Sequence, residues 1–286
     1  MKYLFNYNQF LNESWLGEEE EKTLEDMLGD LSRAFKKESV PAYVDLLKKY
    51  QKDSRVLAVL KAGLTDGKPN DEKFSVREEM LDVKDLKPTQ NEIGAAESLK
   101  NICTDAYGNL NGILEGVAPA DMGDIITYNG EYVLDGHHRW SQVFAANPDA
   151  KMKSINIIGN LDPKDILKAV HTAIAVDAGE TKTKDADLAE GNLLEFTDAN
   201  VEKMVKDNLK PEARKVWADN GYKTDAEIIK EIQDNVRTML KETKPETWAP
   251  KRDSMPQPKD SGAKDWEGLL KKGEVNIISP TKADLR

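Results

Sequence analysis

Cysteine is nearly absent from this sequence. The chain has 286 residues and a single cysteine, Cys103. One cysteine excludes a disulfide within this chain and is typical of proteins from a reducing compartment. We therefore expect a cytoplasmic protein, located in the host cytoplasm if the protein is viral. Cys103 lies in an amphipathic stretch, where a cysteine usually serves as a small buried apolar residue.

Long hydrophobic runs are also missing. No apolar stretch approaches the roughly 20 residues that a membrane-spanning helix requires. Residues 1–15 mix apolar side chains with Asn and Gln and lack a basic flank before an apolar core, so they do not resemble a signal peptide. We expect no membrane partner.

Positive charge is scarce, because 41 Lys and Arg stand against 52 Asp and Glu, giving a net charge of -11. Extended binding to nucleic acid requires clustered Lys and Arg that neutralise phosphates, so a large DNA-binding face is not expected. A local basic site is still compatible with this composition. Residues 1–30 hold eight acidic residues against two Lys, so any DNA partner would bind away from the N-terminal region.

Histidine is rare as well, with three in the chain, and two of them are the neighbours His137 and His138. Neighbouring side chains on a helix point about 100° apart, so these two cannot bind one ion together as an i, i+4 pair does. The sequence therefore predicts no metal held by histidine ligands.

Helical periodicity dominates both ends of the chain. Residues 1–63 predict three packing helices, and residues 179–286 predict further helices, a proline-rich segment extended along the surface at 245–264, and a terminal helix containing Trp266. Between them, residues 64–178 predict alternating strands and helices. We therefore expect an α+β fold, in which a small mixed β-sheet core carries helical N- and C-terminal extensions.

The central region contains the strongest local signals. Asn129 and Gly130 both accept the positive φ of a type I′ turn, which predicts a β-hairpin. Asp135 follows the second arm of the hairpin and would cap a helix over residues 137–146. Residues 113–117 predict an irregular connector.

The start of that helix is a candidate anion site. A helix N-terminus offers unpaired N–H groups and the positive end of the helix dipole. Gly136 would let the backbone approach an anion, while Arg139 and one of His137 and His138 would donate charge-assisted hydrogen bonds to phosphate oxygens. In the alternative interpretation, both histidines only cap the helix or face solvent.

A second polar turn precedes it in the sequence. Pro88 keeps the preceding residue extended, and Thr89, Gln90 and Glu92 follow immediately before the amphipathic stretch 95–103. We expect a strand end that turns into a helix. The three polar side chains would either cap that helix or form a second wall of the anion site.

Together these residues resemble the ParB N-terminal and sulfiredoxin superfamily, often labelled ParB-like nuclease. The resemblance covers about residues 80–176. It rests on Leu-Lys-Pro-Thr-Gln at 86–90 with Glu92, on Tyr-Val-Leu-Asp-Gly-His-His-Arg-Trp at 132–140, and on the apolar strand at 154–158. The start of the chain faintly resembles ParB-like proteins of tailed bacteriophages. The resemblance implies a ParB/sulfiredoxin-like sheet core.

The resemblance also implies a nucleotide ligand. In that superfamily a Gly-x-x-Arg element at a helix N-terminus binds the phosphates of ATP, ADP or CTP. Carried across, Gly136, His137, His138 and Arg139 would bind phosphate, assisted by Thr89 and Gln90, with Mg²⁺ neutralising phosphate charge. Glu92, Asp135 and His138 would be the catalytic residues. The double histidine resembles the ADP-dependent free-serine kinases of the superfamily more than its partition proteins, which carry a different arginine motif.

Three functions stay open at this point. The leading hypothesis is a nucleotide-binding enzyme that hydrolyses or transfers a phosphoryl group to an acceptor that the sequence does not name. The second is a DNA nuclease, which the missing basic face argues against. The third is a non-catalytic binding or structural protein that acts through its helical extensions. Peroxiredoxin repair is not expected, because sulfiredoxin chemistry needs a cysteine where this chain has His137.

Overall fold

The computed structural model describes residues 22–62, 74–183, 188, 190–258, 261–263, 265–275 and 277. Within these residues five strands form one mixed sheet in the order β1-β5-β3-β4-β2. The strands are β1 Ser75–Asp82, β2 Lys87–Pro88, β3 Ile125–Tyr128, β4 Tyr132–Asp135 and β5 Lys151–Ile158. Pairs β1/β5 and β3/β4 are antiparallel, whereas β3/β5 and β2/β4 are parallel. The predicted α+β fold with a small mixed sheet is confirmed.

The predicted hairpin joins β3 to β4. Asn129 and Gly130 have φ values of 52° and 66°, and the amide of Glu131 donates to the carbonyl of Tyr128 at 3.0 Å. Both central residues therefore adopt the left-handed conformation that a type I′ turn needs. The tight turn places the end of β4 directly before the helix that begins at His137.

The described helices fall into three groups along the chain. The N-terminal helices are α1 Leu24–Lys37, α2 Val40–Tyr50 and α3 Ser54–Ala62. The central helices are α4 Ala95–Thr104, α5 Leu110–Leu114, α6 His137–Ala146 and α7 Pro163–Ala178. The C-terminal helices are α8 Asp198–Asn208, α9 Pro211–Asp219, α10 Asp225–Glu242 and α11 Trp266–Lys272. The short helix α5 occupies part of the segment that was predicted to be an irregular connector.

The helices cover the sheet on both faces. Successive strand residues point to opposite faces, so Ile126 packs with α1, α2, α3 and α7, whereas its neighbour Ile125 packs with α4, α6, α8, α9 and α10. Cys103 belongs to the second of these cores and is fully buried, as expected. None of the described helices is both long and apolar enough to cross a lipid bilayer. The division at residues 63 and 178 stays a prediction.

A charged side chain is buried in the first core. Lys168 on α7 has no exposed surface, and its ammonium group donates to the backbone carbonyls of Phe35 and Ala34 at the end of α1. It also lies over the rings of Phe35 and Tyr43, 5.7 Å and 6.0 Å from their centroids. Burial lowers the pKa of Lys168. The lysine thus joins α7 to the C-terminal end of α1, whose carbonyls favour a positive charge.

The proline-rich segment is predicted to extend along the surface, and part of it is buried against the rest of the protein. We refer to residues 248–258 as the strap. Ala249 and Met255 are 5% and 4% exposed, and the carbonyl of Pro250 accepts a hydrogen bond from the amide of Asn91 at 2.9 Å. The strap is held down because its apolar residues are buried and its backbone is bonded to the turn after β2. It passes over the start of α6.

Helix α11 follows the strap and contacts β1 and β5. The ammonium group of Lys271 lies 2.7 Å from the carboxylate of Asp124 and 3.0 Å from that of Glu78. Trp266 at the start of α11 is buried, which confirms the predicted docking of a terminal helix. These contacts fix α11 beside the sheet and bring its first turn to the end of β4.

Candidate functional site

The junction between β4 and α6 is built around a glycine. Gly136 is the N-cap of α6, with φ 88° and ψ 25°, and no side chain caps the helix there. A Cβ atom at this position would lie 2.7 Å from Cγ2 of Ile125 and 3.0 Å from Nη2 of Arg139. The prediction that Asp135 caps the helix is wrong, because the chain turns one residue later through a conformation that glycine adopts readily. No side chain therefore competes for the first-turn amides.

A cavity of about 240 Å³ opens at this junction. Its walls come from the turn after β2, the β4–α6 junction, α7, the strap and α11. It is lined by Gln90, Leu134, Asp135, Gly136, His137, His138, Arg139, Val170, His171, Ile174, Arg252, Met255, Pro256, Gln257, Pro258 and Trp266. Six of the residues singled out from the sequence meet here, while Thr89 and Glu92 are not among the lining residues. Their roles toward a ligand stay predictions.

Arg139 is held between two carboxylates. Its Nη2 lies 3.4 Å from Asp135 and its Nη1 lies 3.6 Å from Glu267 of α11. A Cβ atom at Gly123 would come within 2.7 Å of the same Nη1, so the guanidinium packs against the backbone of two glycines, 123 and 136. The side chain is 29% exposed and thus reaches both protein and solvent. Its planar fork of donors suits a phosphate or a carboxylate.

His138 is engaged by the strap. Its Nε2 accepts from the amide of Gly94 at 3.1 Å and faces Nη1 of Arg252 at 2.6 Å. In this arrangement Nε2 is an acceptor and the guanidinium is the donor. Sequence reasoning missed Arg252 as a site residue, because it lies with Lys251 in the segment predicted to extend along the surface. The strap places Arg252 against His138, which lies 114 positions earlier in the sequence.

His137 and Thr89 support the wall of the cavity. Nε2 of His137 accepts from the amide of Thr89 at 3.2 Å, and the Thr89 hydroxyl donates to the carbonyl of Val133 at 2.7 Å. Burial lowers the pKa of His137 to about 3, with the charges of His138 and Arg252 acting in the same direction. The imidazole is therefore neutral and ties the end of β2 to the start of α6.

The two remaining predicted residues lie under the strap. Gln90 lines the cavity, and its side-chain amide donates to the backbone carbonyl of Glu92. The Glu92 carboxylate accepts from the amide of Arg252 at 3.2 Å and lies 3.4 Å from the ammonium of Lys251. Glu92 therefore anchors the strap, and Asp135 is the predicted carboxylate that lines the cavity.

The third histidine of the chain completes the cavity wall, and the sequence analysis did not identify it. His171 on α7 is 1% exposed, and within the described residues its Nδ1 has no hydrogen-bond partner. Burial lowers its pKa to about 3, assisted by the charge of Lys48, so it is neutral. The available signal was its place one helical turn after Leu167 on the apolar face of a predicted helix, which favours burial.

A second cavity of about 540 Å³ shares part of its wall with the first. The two share five lining residues, which are Asp135, Arg139, Gln257, Pro258 and Trp266. The second is completed by Ala263, Asp265 and Glu267. A ligand that occupies both cavities would therefore lie against Arg139.

The side chains at this site can be tested for their ability to bind Mg²⁺. The described residues contain no group of three or more His, Cys, Asp and Glu side chains arranged to hold one ion. Mg²⁺ bound with a nucleotide needs only one or two protein carboxylates, since phosphates and water supply the other ligands. Asp135 and Glu267 both lie beside Arg139 and are carboxylates of the kind required. The donor set fits a phosphate-bound Mg²⁺.

Comparison with known proteins gives no relative. No protein-family model, no curated protein and no solved structure matches the chain.

Proposed function

We propose that the protein binds a nucleotide in the two cavities beside Arg139 and hydrolyses or transfers one of its phosphoryl groups. The observation that carries the proposal is the start of α6, whose N-cap is a glycine without a capping side chain and whose first turn lines a cavity together with Arg139. Backbone N–H groups, the helix dipole and a guanidinium converge there, and all three favour a phosphate.

The size of the site also supports a nucleotide. Small-molecule sites commonly enclose roughly 300 to 1,000 Å³, and the first cavity alone, at about 240 Å³, is smaller than that. The adjoining cavity of about 540 Å³ supplies the remaining room. We place the phosphates at Arg139, because it lines both cavities.

The roles of the side chains follow from their positions. Arg139 and the first-turn amides of α6 would bind the phosphates and stabilise the charge that develops on them. Asp135 would orient the attacking oxygen and accept its proton, while the new bond to phosphorus forms and the bond to the bridging oxygen of the leaving nucleotide breaks. Mg²⁺ would be held by Glu267 together with the phosphates and water, and would neutralise phosphate charge. Glu92 is the weaker candidate for the base, because Lys251 and Arg252 engage it.

Calorimetric titration with ATP, ADP and CTP in the presence of Mg²⁺ tests the proposal. We expect at least one nucleotide to bind the parent protein, and Arg139→Ala to weaken that binding more than about tenfold, since a charge-assisted hydrogen bond contributes roughly 1.5 to 3 kcal/mol. Arg214→Ala is the matched control. Arg214 also pairs with a carboxylate, that of Asp225 at 2.6 Å, but lies outside both cavities.

Binding without turnover would leave a nucleotide-binding protein that is not an enzyme. Phosphate release and phosphoryl transfer would therefore be measured in the parent and in Asp135→Asn, which should bind nucleotide and lose turnover. If none of the three nucleotides binds and Arg139→Ala behaves like the parent, the proposal is rejected. Metal-dependent cleavage of plasmid DNA by the same preparations, lost in His138→Ala, would instead support the nuclease hypothesis.

A further inference from the structure

Four buried side-chain atoms of the described residues have no hydrogen-bond partner, and two of them belong to residues that line the first cavity. Nδ1 of His171 on α7 and Nε1 of Trp266 on α11 have no hydrogen-bond partner among the described residues, and the two residues are 1% and 6% exposed. They come from different helices, more than 90 positions apart in the sequence. The cavity is the feature that they share.

Unpartnered buried polar groups are costly and therefore rare. Native proteins pair about 90% or more of such groups, and leaving one unsatisfied costs on the order of 1 to 3 kcal/mol. The fully buried Trp217 shows the usual arrangement, since its Nε1 donates to the carbonyl of Ile102 at 3.1 Å. Two exceptions on one cavity therefore indicate a ligand that supplies the missing partners.

The surroundings restrict the chemistry of that ligand. The cavity is also lined by the apolar side chains of Leu134, Val170, Ile174, Met255 and Pro256. An anionic group is better placed at Arg139 or Arg252 than at His171, because the imidazole of His171 is neutral and supplies no counter-charge. The indole N–H of Trp266 can only donate a hydrogen bond, so its partner must be an acceptor. Nδ1 of the neutral His171 imidazole can be a donor or an acceptor, depending on the tautomer. A hydroxyl group satisfies both requirements.

We propose that His171 and Trp266 bind the uncharged, hydroxyl-bearing part of the ligand whose phosphates lie at Arg139. The inference rests on the proposed function and specifies its ligand as a phosphorylated hydroxy compound, such as a nucleotide with free ribose hydroxyls. His171 and Trp266 determine specificity in this arrangement. They are separate from the groups that would act on the phosphate.

Three probes separate the two halves of the ligand. ADP carries both the phosphates and the ribose hydroxyls, 2′,3′-dideoxy-ADP lacks the hydroxyls, and inorganic pyrophosphate has only the anionic half. Trp266→Phe removes one hydrogen-bond donor, so it should weaken ADP binding about five- to tenfold and leave the affinities for the other two probes within about twofold. Loss of the hydroxyls removes the bonds to both His171 and Trp266, so the parent protein should bind dideoxy-ADP more than about tenfold more weakly than ADP.

The histidine is tested with a matched pair of variants. His171→Leu should reduce the preference for ADP over dideoxy-ADP, whereas His171→Asn, which keeps a polar atom near the position of Nδ1, should retain more of it. Trp217→Phe is the control for tryptophan, because it removes an N–H that already has a partner. It should lower the melting temperature without changing the ADP preference, and Trp266→Phe should leave the melting temperature of the free protein unchanged or higher.

The possible results distinguish the two proposals. If Arg139→Ala weakens pyrophosphate binding while the parent binds ADP and dideoxy-ADP equally, the inference is overturned and the proposed function stands. An equal loss for all three probes in Trp266→Phe would also overturn it, since that would show a general structural effect. If the parent binds none of the three probes and neither ATP nor CTP, both proposals are rejected.

Discussion

Acid should destabilise this protein through two buried histidines. His137 and His171 are neutral in the folded state, because burial lowers the pKa of each from 6.5 to about 3. In the unfolded chain both pKa values return to about 6.5. Between pH 3 and pH 6.5 the unfolded state therefore binds more protons than the folded state. The stability that these residues contribute is complete above pH 6.5 and is lost as the pH falls toward 3.

The size of the effect follows from linkage. Lowering the pH from 7.5 to 5.0 should cost about 2 kcal/mol for each histidine, and hence about 4 kcal/mol for both. This is a large part of the roughly 5 to 15 kcal/mol by which proteins are stable. Glu267 acts in the opposite sense, since burial raises its pKa and the folded state takes up its proton more readily. The variant Glu267→Gln removes that contribution.

Urea unfolding followed by circular dichroism at pH 7.5, 6.5, 5.8 and 5.0, at constant ionic strength, measures the free energy of unfolding across the window. His137→Asn and His171→Asn should each remove about half of the loss, and the double variant should remove nearly all of it. The quantity compared between variants is the slope of the free energy of unfolding against pH, because each substitution also changes the absolute stability. A parent protein that loses less than about 1 kcal/mol between pH 7.5 and 5.0 would refute the reasoning.

Two further predictions concern the glycine at the start of α6 and the attachment of α11. Gly136→Ala should lower the free energy of unfolding by about 2 to 3 kcal/mol, because φ is 88° and the added Cβ would lie 2.7 Å from Ile125. A loss below about 0.5 kcal/mol in urea unfolding would contradict this prediction. Lys271→Ala should loosen α11 and the strap, because it removes the ion pairs to Asp124 and Glu78. Tryptic cleavage after Arg252 should then be faster than in the neighbouring control Lys272→Ala, and equal rates would count against it.

Much of the fold was predictable because local patterns are strong there. The Asn129–Gly130 turn and the helix that begins at His137 depend on backbone preferences that act within a few residues. The structure confirms both of them. Local patterns were silent where tertiary contacts decided the outcome, as at the strap, whose prolines and charges do not show that it packs over the start of α6.

The candidate site divides in the same way. The sequence by itself determined the inner half, from Asp135 to Arg139, since a strand, a glycine and a helix start are contiguous in the chain. The tertiary structure alone decided the outer half. It placed His171 from α7, Arg252 from the strap and the first turn of α11 around that helix start. Such contacts depend on how helices and strap pack on the sheet, and no periodicity in the sequence encodes a meeting between residues that are distant in the chain.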